Sequence, residues 1–221
     1  MTSIVTPAVS GTCALFKYTC RVKQHCRLRC QCFKKGSTMN YTITTFSSGD
    51  KYSPIENHWK KRVQELHPEA AVKILRNFIF KKKLSGYAWW DIVRLERMLK
   101  ILRNKGCPVI NCDLDLILAK NIRPLIDLEY DLIISKEVGG DMAFPPEISK
   151  QLGFGLCTGF YIAKKGSLPL LTKTLYSMKT NEYNSNSDQV TLMNYILKNK
   201  KSVNFKTERI QKAPRWIKWV A

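Results

Sequence analysis

The stretch Val109-Ile-Asn-Cys-Asp-Leu-Asp-Leu-Ile-Leu118 decides how this chain reads. Val109 and Ile110 form an apolar run suited to a buried strand, and the run ends at two aspartates, Asp113 and Asp115. Alternate residues of an extended chain point the same way, so both carboxylates could reach one cation. Carboxylate oxygens are hard ligands that suit Mg²⁺ or Mn²⁺, ions that complete their shells with water and phosphate. Open α/β sheets hold their ligands at the carboxyl ends of strands. The stretch therefore predicts a metal-diphosphate site at a strand end. For an isolated Asp-x-Asp the simpler alternative is two aspartates in a surface loop. The apolar flanks weigh against it, because unpaired carboxylates beside a buried strand are costly.

On either side, strands and helices alternate. Tyr41–Phe46 is β-branched and aromatic and reads as the first strand. Ser53-Pro54-Ile55-Glu56 reads as an N-cap, a first-turn proline and a capping-box glutamate, opening a helix to about Leu66. Ala71–Phe80 follows as a strand. Trp89, Ile92, Leu95, Leu99 and Leu102 recur at helical spacing and lead through Gly106 into a strand at Pro108–Cys112. Tyr130–Ser135 and Phe154–Ala163 are further strands, and Gly153, Gly155 and Gly159 predict close backbone approach around the second. Leu168–Met178 and Asp188–Leu197 have helical patterns. The alternation predicts a three-layer α/β/α sandwich with a mostly parallel central sheet. Neither GxGxxG after the first strand nor GxxxxGK[ST] occurs, so the two standard nucleotide fingerprints are absent.

A chain of 221 residues, 44% hydrophobic and 24% charged, can bury the core of one α/β domain. Its net charge of +20 favours anionic partners: nucleic acid, an anionic membrane surface or a phosphate-bearing substrate. Solvated surface is the plainer account of Lys81–Lys83 and Lys198–Lys201. No apolar stretch approaches the roughly 18 residues that span a bilayer, so no transmembrane helix is expected, and membrane contact would be peripheral. Residues 1–38 hold seven Lys/Arg, no acid and five of the eight cysteines. Cys13, Cys20, Cys26, Cys30 and Cys32, even with His25, match no zinc spacing. Cys107, Cys112 and Cys157 lie in apolar segments and read as free thiols of a reducing compartment. Met39 opens the first strand region. A domain is thus expected over 39–221, with 1–38 as a basic Cys-rich extension that is either a flexible arm or no part of the working protein.

Four pieces in order resemble the GT-A-fold nucleotide-diphospho-sugar glycosyltransferases, whose hallmark is the Asp-x-Asp motif. They are Thr44-Thr-Phe46 with Tyr52 downstream; Tyr87-Ala-Trp-Trp-Asp-Ile-Val-Arg94-Leu95; Cys112-Asp-Leu-Asp115 followed by Leu125; and Thr158-Gly-Phe-Tyr161 with Ser187-Asp188-Gln189 beyond it. The match spans roughly residues 40–200 and extends to small stand-alone viral enzymes of chlorovirus type. The resemblance implies that Asp115, with Asp113, holds Mn²⁺ or Mg²⁺ against the diphosphate of a UDP-linked donor. Asp113 alternatively meets the ribose. Thr44, Thr45, Phe46 and Tyr52 would line the nucleoside pocket. Arg94 would face the diphosphate or steady the aspartates, and Gly159 would let the sugar lie against the backbone. Asp188 and Gln189 would sit at the sugar or the acceptor hydroxyl, and with inversion a carboxylate such as Asp188 or Asp141 would deprotonate that hydroxyl. The implied activity is hexosyl or deoxyhexosyl transfer to a glycan or glycoprotein, in the cytoplasm, or the host cytoplasm for a viral protein. This chain departs from the family in two places. Cys157 and Thr158 stand where the family has Asn-Ser, and all three histidines, His25, His58 and His67, precede the motif, so none can be the C-terminal metal ligand.

Plainer readings stand beside these. Arg94 neighbours Glu96 and Arg97, as a surface ion pair would. Trp89 and Trp90 suit core packing. Asp188 suits a helix N-terminus. The competing functions are a basic nucleic-acid-binding or metal-dependent nuclease-like protein and a noncatalytic binding module. Only one carboxylate pair is evident and the basic residues are dispersed, so no nucleic acid partner is expected.

Overall fold

The computed structural model describes residues 41–47, 52–76, 86–116, 118–137, 145–185, 187–199 and 202–208. All of them belong to one compact unit, Met39–Ala221. The basic extension 1–38, the lysine run 81–83, Asp141 and the aromatic tail lie outside the described residues.

The described residues form, in chain order, β1 (Thr42–Phe46), α1 (Ser53–Leu66), β2 (Ala71–Leu75), α2 (Gly86–Lys105), β3 (Val109–Cys112), α3 (Arg123–Ile126), β4 (Leu132–Glu137), α4 (Pro146–Leu152), β5 (Gly155–Ala163), α5 (Leu168–Thr180), α6 (Asp188–Asn199) and β6 (Phe205–Glu208). The sheet order is β2-β1-β3-β5-β4-β6. β1 runs parallel to β2 and β3, and β4 runs parallel to β6. β5 is antiparallel to both of its neighbours, β3 and β4. The sheet is mostly parallel, as expected, with one reversed strand at its centre. The reversal brings the middle of β5 beside the carboxyl end of β3, where Cys112 pairs with Phe160.

Side chains alternate across the sheet and build two cores. On one face Val109, Leu132, Ile134, Leu156 and Tyr161 pack with α2, α5 and α6. On the other, Tyr41, Ile43, Ile110, Ile133, Phe160 and Ile162 pack with α1 and the segment after β3. That is the three-layer arrangement. Along α2, Ile92, Leu95, Met98, Leu99 and Leu102 are all buried. Each such side chain contributes about 1.5–3 kcal/mol by leaving water. Gly106, at φ 63°, closes α2: its N–H reaches Leu102 O at 3.1 Å, a left-handed stop that glycine makes without strain. The chain then turns directly into β3.

The α1 capping box does not form. The residue capping α1 is Tyr52, and no side chain caps the helix. Glu56 is fully buried and pairs with Arg76 instead, a tertiary partner 20 residues away that outcompetes the local backbone. β2 ends at Leu75, Arg76 is not part of the strand, and residues 77–80 of the expected continuation lie outside the described residues.

Candidate active site

β3 delivers the two aspartates to the carboxyl edge of the sheet. Asp113 follows the last β3 residue, and its N–H donates to Gly159 O of β5 at 2.9 Å. A Cβ added at Gly159 would stand 3.0 Å from Asp113 Oδ2, so this glycine leaves the room that the carboxylate occupies. Asn111, one pleat below, is fully buried. Its Nδ2 donates to Asp113 Oδ1 at 3.2 Å and to the carbonyls of Thr158 and Gly159 at 3.0 and 3.3 Å. Asp115 sits exposed in the turn beyond.

Arg94 is the centre of the site. From α2 its Nη1 donates to Asp113 Oδ1 at 3.3 Å. Its Nη2 donates to Asp91 Oδ1 at 3.0 Å and to Asp188 Oδ2 at 2.5 Å, with Thr158 Oγ1 at 3.4 Å. The Thr158 hydroxyl donates to the other oxygen of Asp188 at 2.8 Å. Asp188 begins α6 and is buried, and its own N–H reaches Asp91 Oδ2 at 3.4 Å. Two helices and two strands therefore meet on one guanidinium. The surface ion pair with Glu96 does not form, since Glu96 pairs with Lys179.

The charges do not balance. Asp91, Asp113 and Asp188 face a single arginine, and Asp115 adds a fourth carboxylate beside Asp113. Burial, then the neighbouring Asp188, pushes Asp91 up to about 7. Burial first, with Asp115 adding repulsion, pushes Asp113 up to about 6, against the pull of Arg94. The same carboxylates hold the Arg94 guanidinium firmly protonated despite its burial. In a chain of net charge +20, this corner is short of positive charge.

That shortage is the test of whether a hard cation fits. Asp113 and Asp115 offer carboxylate oxygens at a strand end. The Cys112 thiol, next to Asp113 in sequence, is pushed up to about 12 by burial and stays protonated, and Cys157 Sγ borders Gly159 beside Asp113 Oδ2. The two carboxylates suit Mg²⁺ or Mn²⁺. Among the described residues no group of three His, Cys, Asp or Glu is placed to hold a metal ion. His67 is buried far from the motif, where its Nδ1 meets Tyr41 Oη at 2.7 Å and its Nε2 accepts from Ile122 N–H.

The other expected residues fall as follows. Thr44 is buried under α2, donating to Ile110 O at 2.9 Å and touching Met98 Sδ. Thr45 and Ser47, at the end of β1, carry buried hydroxyls without partners. Phe46 packs on the core two residues past Thr44, the partner of Asn111, which sets it level with Asp113. Tyr52 and Gln189 are half-buried at the starts of α1 and α6. Leu125 packs beneath the segment that follows the motif. Asp91, Asn111 and Ser47 were not singled out by the sequence reading. Asp91 alone left a trace there, three residues before Arg94 on one helix.

A solved structure described as a glycosyltransferase involved in the glycosylation of the major capsid of PBCV-1 superposes with a TM-score of 0.58. The overlap covers 76% of this chain and 81% of that one, at 14% identity. The fold is GT-A-like. The galactosyltransferase LgtC, solved with donor and acceptor sugar analogs, gives a TM-score of 0.48 over 75% of this chain and 72% of its own, at 13% identity. No family model matches the chain, and no curated protein matches it in sequence. The described helices include none long and apolar enough to cross a membrane.

Proposed function

We propose that this chain is a metal-dependent glycosyltransferase that moves a sugar from a UDP-linked donor to a hydroxyl of a glycan or glycoprotein. The carrying observation is the cation-hungry carboxylate corner at the carboxyl end of β3, on a fold that the PBCV-1 capsid glycosyltransferase shares. Asp113 and Asp115 would hold Mn²⁺ or Mg²⁺, which when bound neutralises charge developing on the leaving nucleoside diphosphate. Phe46 and Tyr52, with the unpartnered hydroxyls of Thr45 and Ser47, suit the nucleoside side of the cleft. Thr44 supports that edge from within the core.

Arg94 fixes the site. Its guanidinium ties α2 to β3 and α6, so Asp113 is held in place before any ligand arrives. Preorganisation of this kind is where electrostatic catalysis gains most. Asp188 has both oxygens engaged, one by Arg94 and one by Thr158. Its task in this arrangement is to orient Arg94, and it reaches an acceptor hydroxyl only by releasing one partner. With inversion, Asp141 is the remaining named carboxylate for that proton.

The test is UDP release from a panel of UDP-sugars with and without Mn²⁺, comparing the wild type with Asp115→Ala. Metal-dependent release that the substitution abolishes supports the reading and names the sugar. If no nucleotide sugar binds to either protein, the proposal fails.

A further inference from the structure

A crevice of about 250 Å³ lies between edge strand β2 and helix α2. Lys73 and Leu75 line it from β2; Arg97, Lys100, Ile101 and Lys105 line it from α2, with Asn104 beside them. The sequence explains the convergence. Lys73 is the register partner of Thr44, whose hydroxyl meets Met98, so Lys73 stands on the α2 side of the sheet. Residues 97, 100, 101, 104 and 105 recur at helical spacing and share one face of α2. Ile101 and Leu75 are half-buried and form an apolar floor.

Four cations therefore border one concavity, and no acid is among its described lining residues. Lys73, Arg97, Lys100 and Lys105 take part in none of the ion pairs among the described residues. The nearest acid in sequence, Glu96, is committed to Lys179. Like charges that border one concavity repel one another, and a bound anion relieves that repulsion. A concave wall with an apolar floor focuses the field. The Arg97 fork and the lysine ammoniums are the donors that phosphate oxygens prefer.

The crevice begins one helical turn from the carboxylate corner, at Arg97, and runs away from it along α2. Eleven residues of helix, about 16 Å, divide Arg94 from Lys105. The two sites also carry opposite charge, so they select different ligands.

We propose that this crevice is an anion site that takes the phosphate or diphosphate of a small ester or of a lipid headgroup, with the organic part resting on Leu75 and Ile101. The experiment uses the full chain, ¹⁵N-labelled, in EDTA, titrated with inorganic pyrophosphate while backbone amide shifts are followed. Saturable shifts are expected at Lys73, Leu75, Lys100, Ile101 and Asn104. The pair Lys73→Gln with Lys100→Gln should weaken binding about tenfold or more, a loss of the size that charge-assisted contacts supply. The control pair Lys60→Gln with Lys61→Gln removes the same charge from exposed positions of α1 and should change affinity less than about twofold, because distant surface charge is screened. Thermal melts confirm that both pairs fold. A second arm uses phosphatidylcholine vesicles with and without phosphatidate. Pyrophosphate binding alone points to a soluble ester; co-sedimentation with phosphatidate vesicles that the crevice pair abolishes points to a headgroup. The proposal is overturned by equal losses in the two pairs, by shifts spread over the surface or confined around Asp113, or by binding of neither probe.

Discussion

At the scale of single residues, Arg94 and its three carboxylates carry the argument. Removing the guanidinium leaves Asp91, Asp113 and Asp188 facing one another in a mostly buried corner. Arg94→Met should therefore cost about 3–5 kcal/mol in urea unfolding at pH 7.5, the range for breaking a buried pair from one side. The loss should shrink at pH 5, where Asp91 and Asp113, at about 7 and about 6, are largely protonated. The wild type has a sign of its own. Both groups sit above their unfolded values near 4, so the stability they contribute is fully present below about pH 4 and is lost as pH rises through 6 to 7. Asp91→Asn removes one of the two and should flatten the decline of melting temperature between pH 4 and pH 8; an unchanged slope would show that Asp91 does not titrate there. Tyr161 offers a smaller test. Its hydroxyl is buried without a partner, so Tyr161→Phe should leave stability within about 1 kcal/mol of the wild type or raise it. Asp113 and Asp115 were legible in the sequence because an apolar run stops abruptly at them. The partners of Arg94 were not, because Asp188 lies 94 residues away in sequence and only the packing of α6 brings it in.

At the scale of elements, the reversed strand β5 makes the site, and nothing in its own sequence announces the reversal. Its glycines signalled close approach, and the approach is real at Gly159. Gly159→Ala would press a methyl against Asp113 Oδ2, while Arg94 and Asn111 already hold the other oxygen, Oδ1. Metal-dependent UDP release should fall at least about tenfold, since misplacement of a reacting group costs more in rate than in stability, with a melting temperature near the wild type. A variant with full activity would mean that the aspartate swings freely. Helix α1 separates two physical accounts of one motif. A capping box would make Ser53→Ala cost about 1 kcal/mol, whereas a helix capped by no side chain makes it nearly neutral. Arg76→Ala should instead cost about 3 kcal/mol by stranding the buried Glu56 carboxylate, and denaturant midpoints of the two variants decide between the accounts. The Ser-Pro-Ile-Glu pattern was read correctly as a helix start and wrongly as a cap, because a cap is judged locally and Glu56 answers to a residue after the next strand.

At the scale of the whole molecule, charge is distributed against its average. The chain is strongly basic, yet four carboxylates gather where β3 meets β5, and four cations that take part in no ion pair among the described residues line the crevice beside α2. Composition showed the excess of positive charge and could not show this division, which depends on α2 running from Arg94 near its middle to Lys105 at its last residue. The division makes a cation effect predictable. Mn²⁺ binding to the folded state alone stabilises by mass action, about 2.7 kcal/mol at a hundredfold excess over its dissociation constant. For a chain of this size that raises the melting temperature by roughly 5–10 °C. The rise should grow between pH 5.5 and pH 7.5, because Asp113 must first give up its proton and does so near 6. Asp115→Ala should abolish it. Sodium chloride at matched ionic strength should not reproduce it, because screening acts on the whole basic surface while a divalent ion answers only the corner that lacks positive charge.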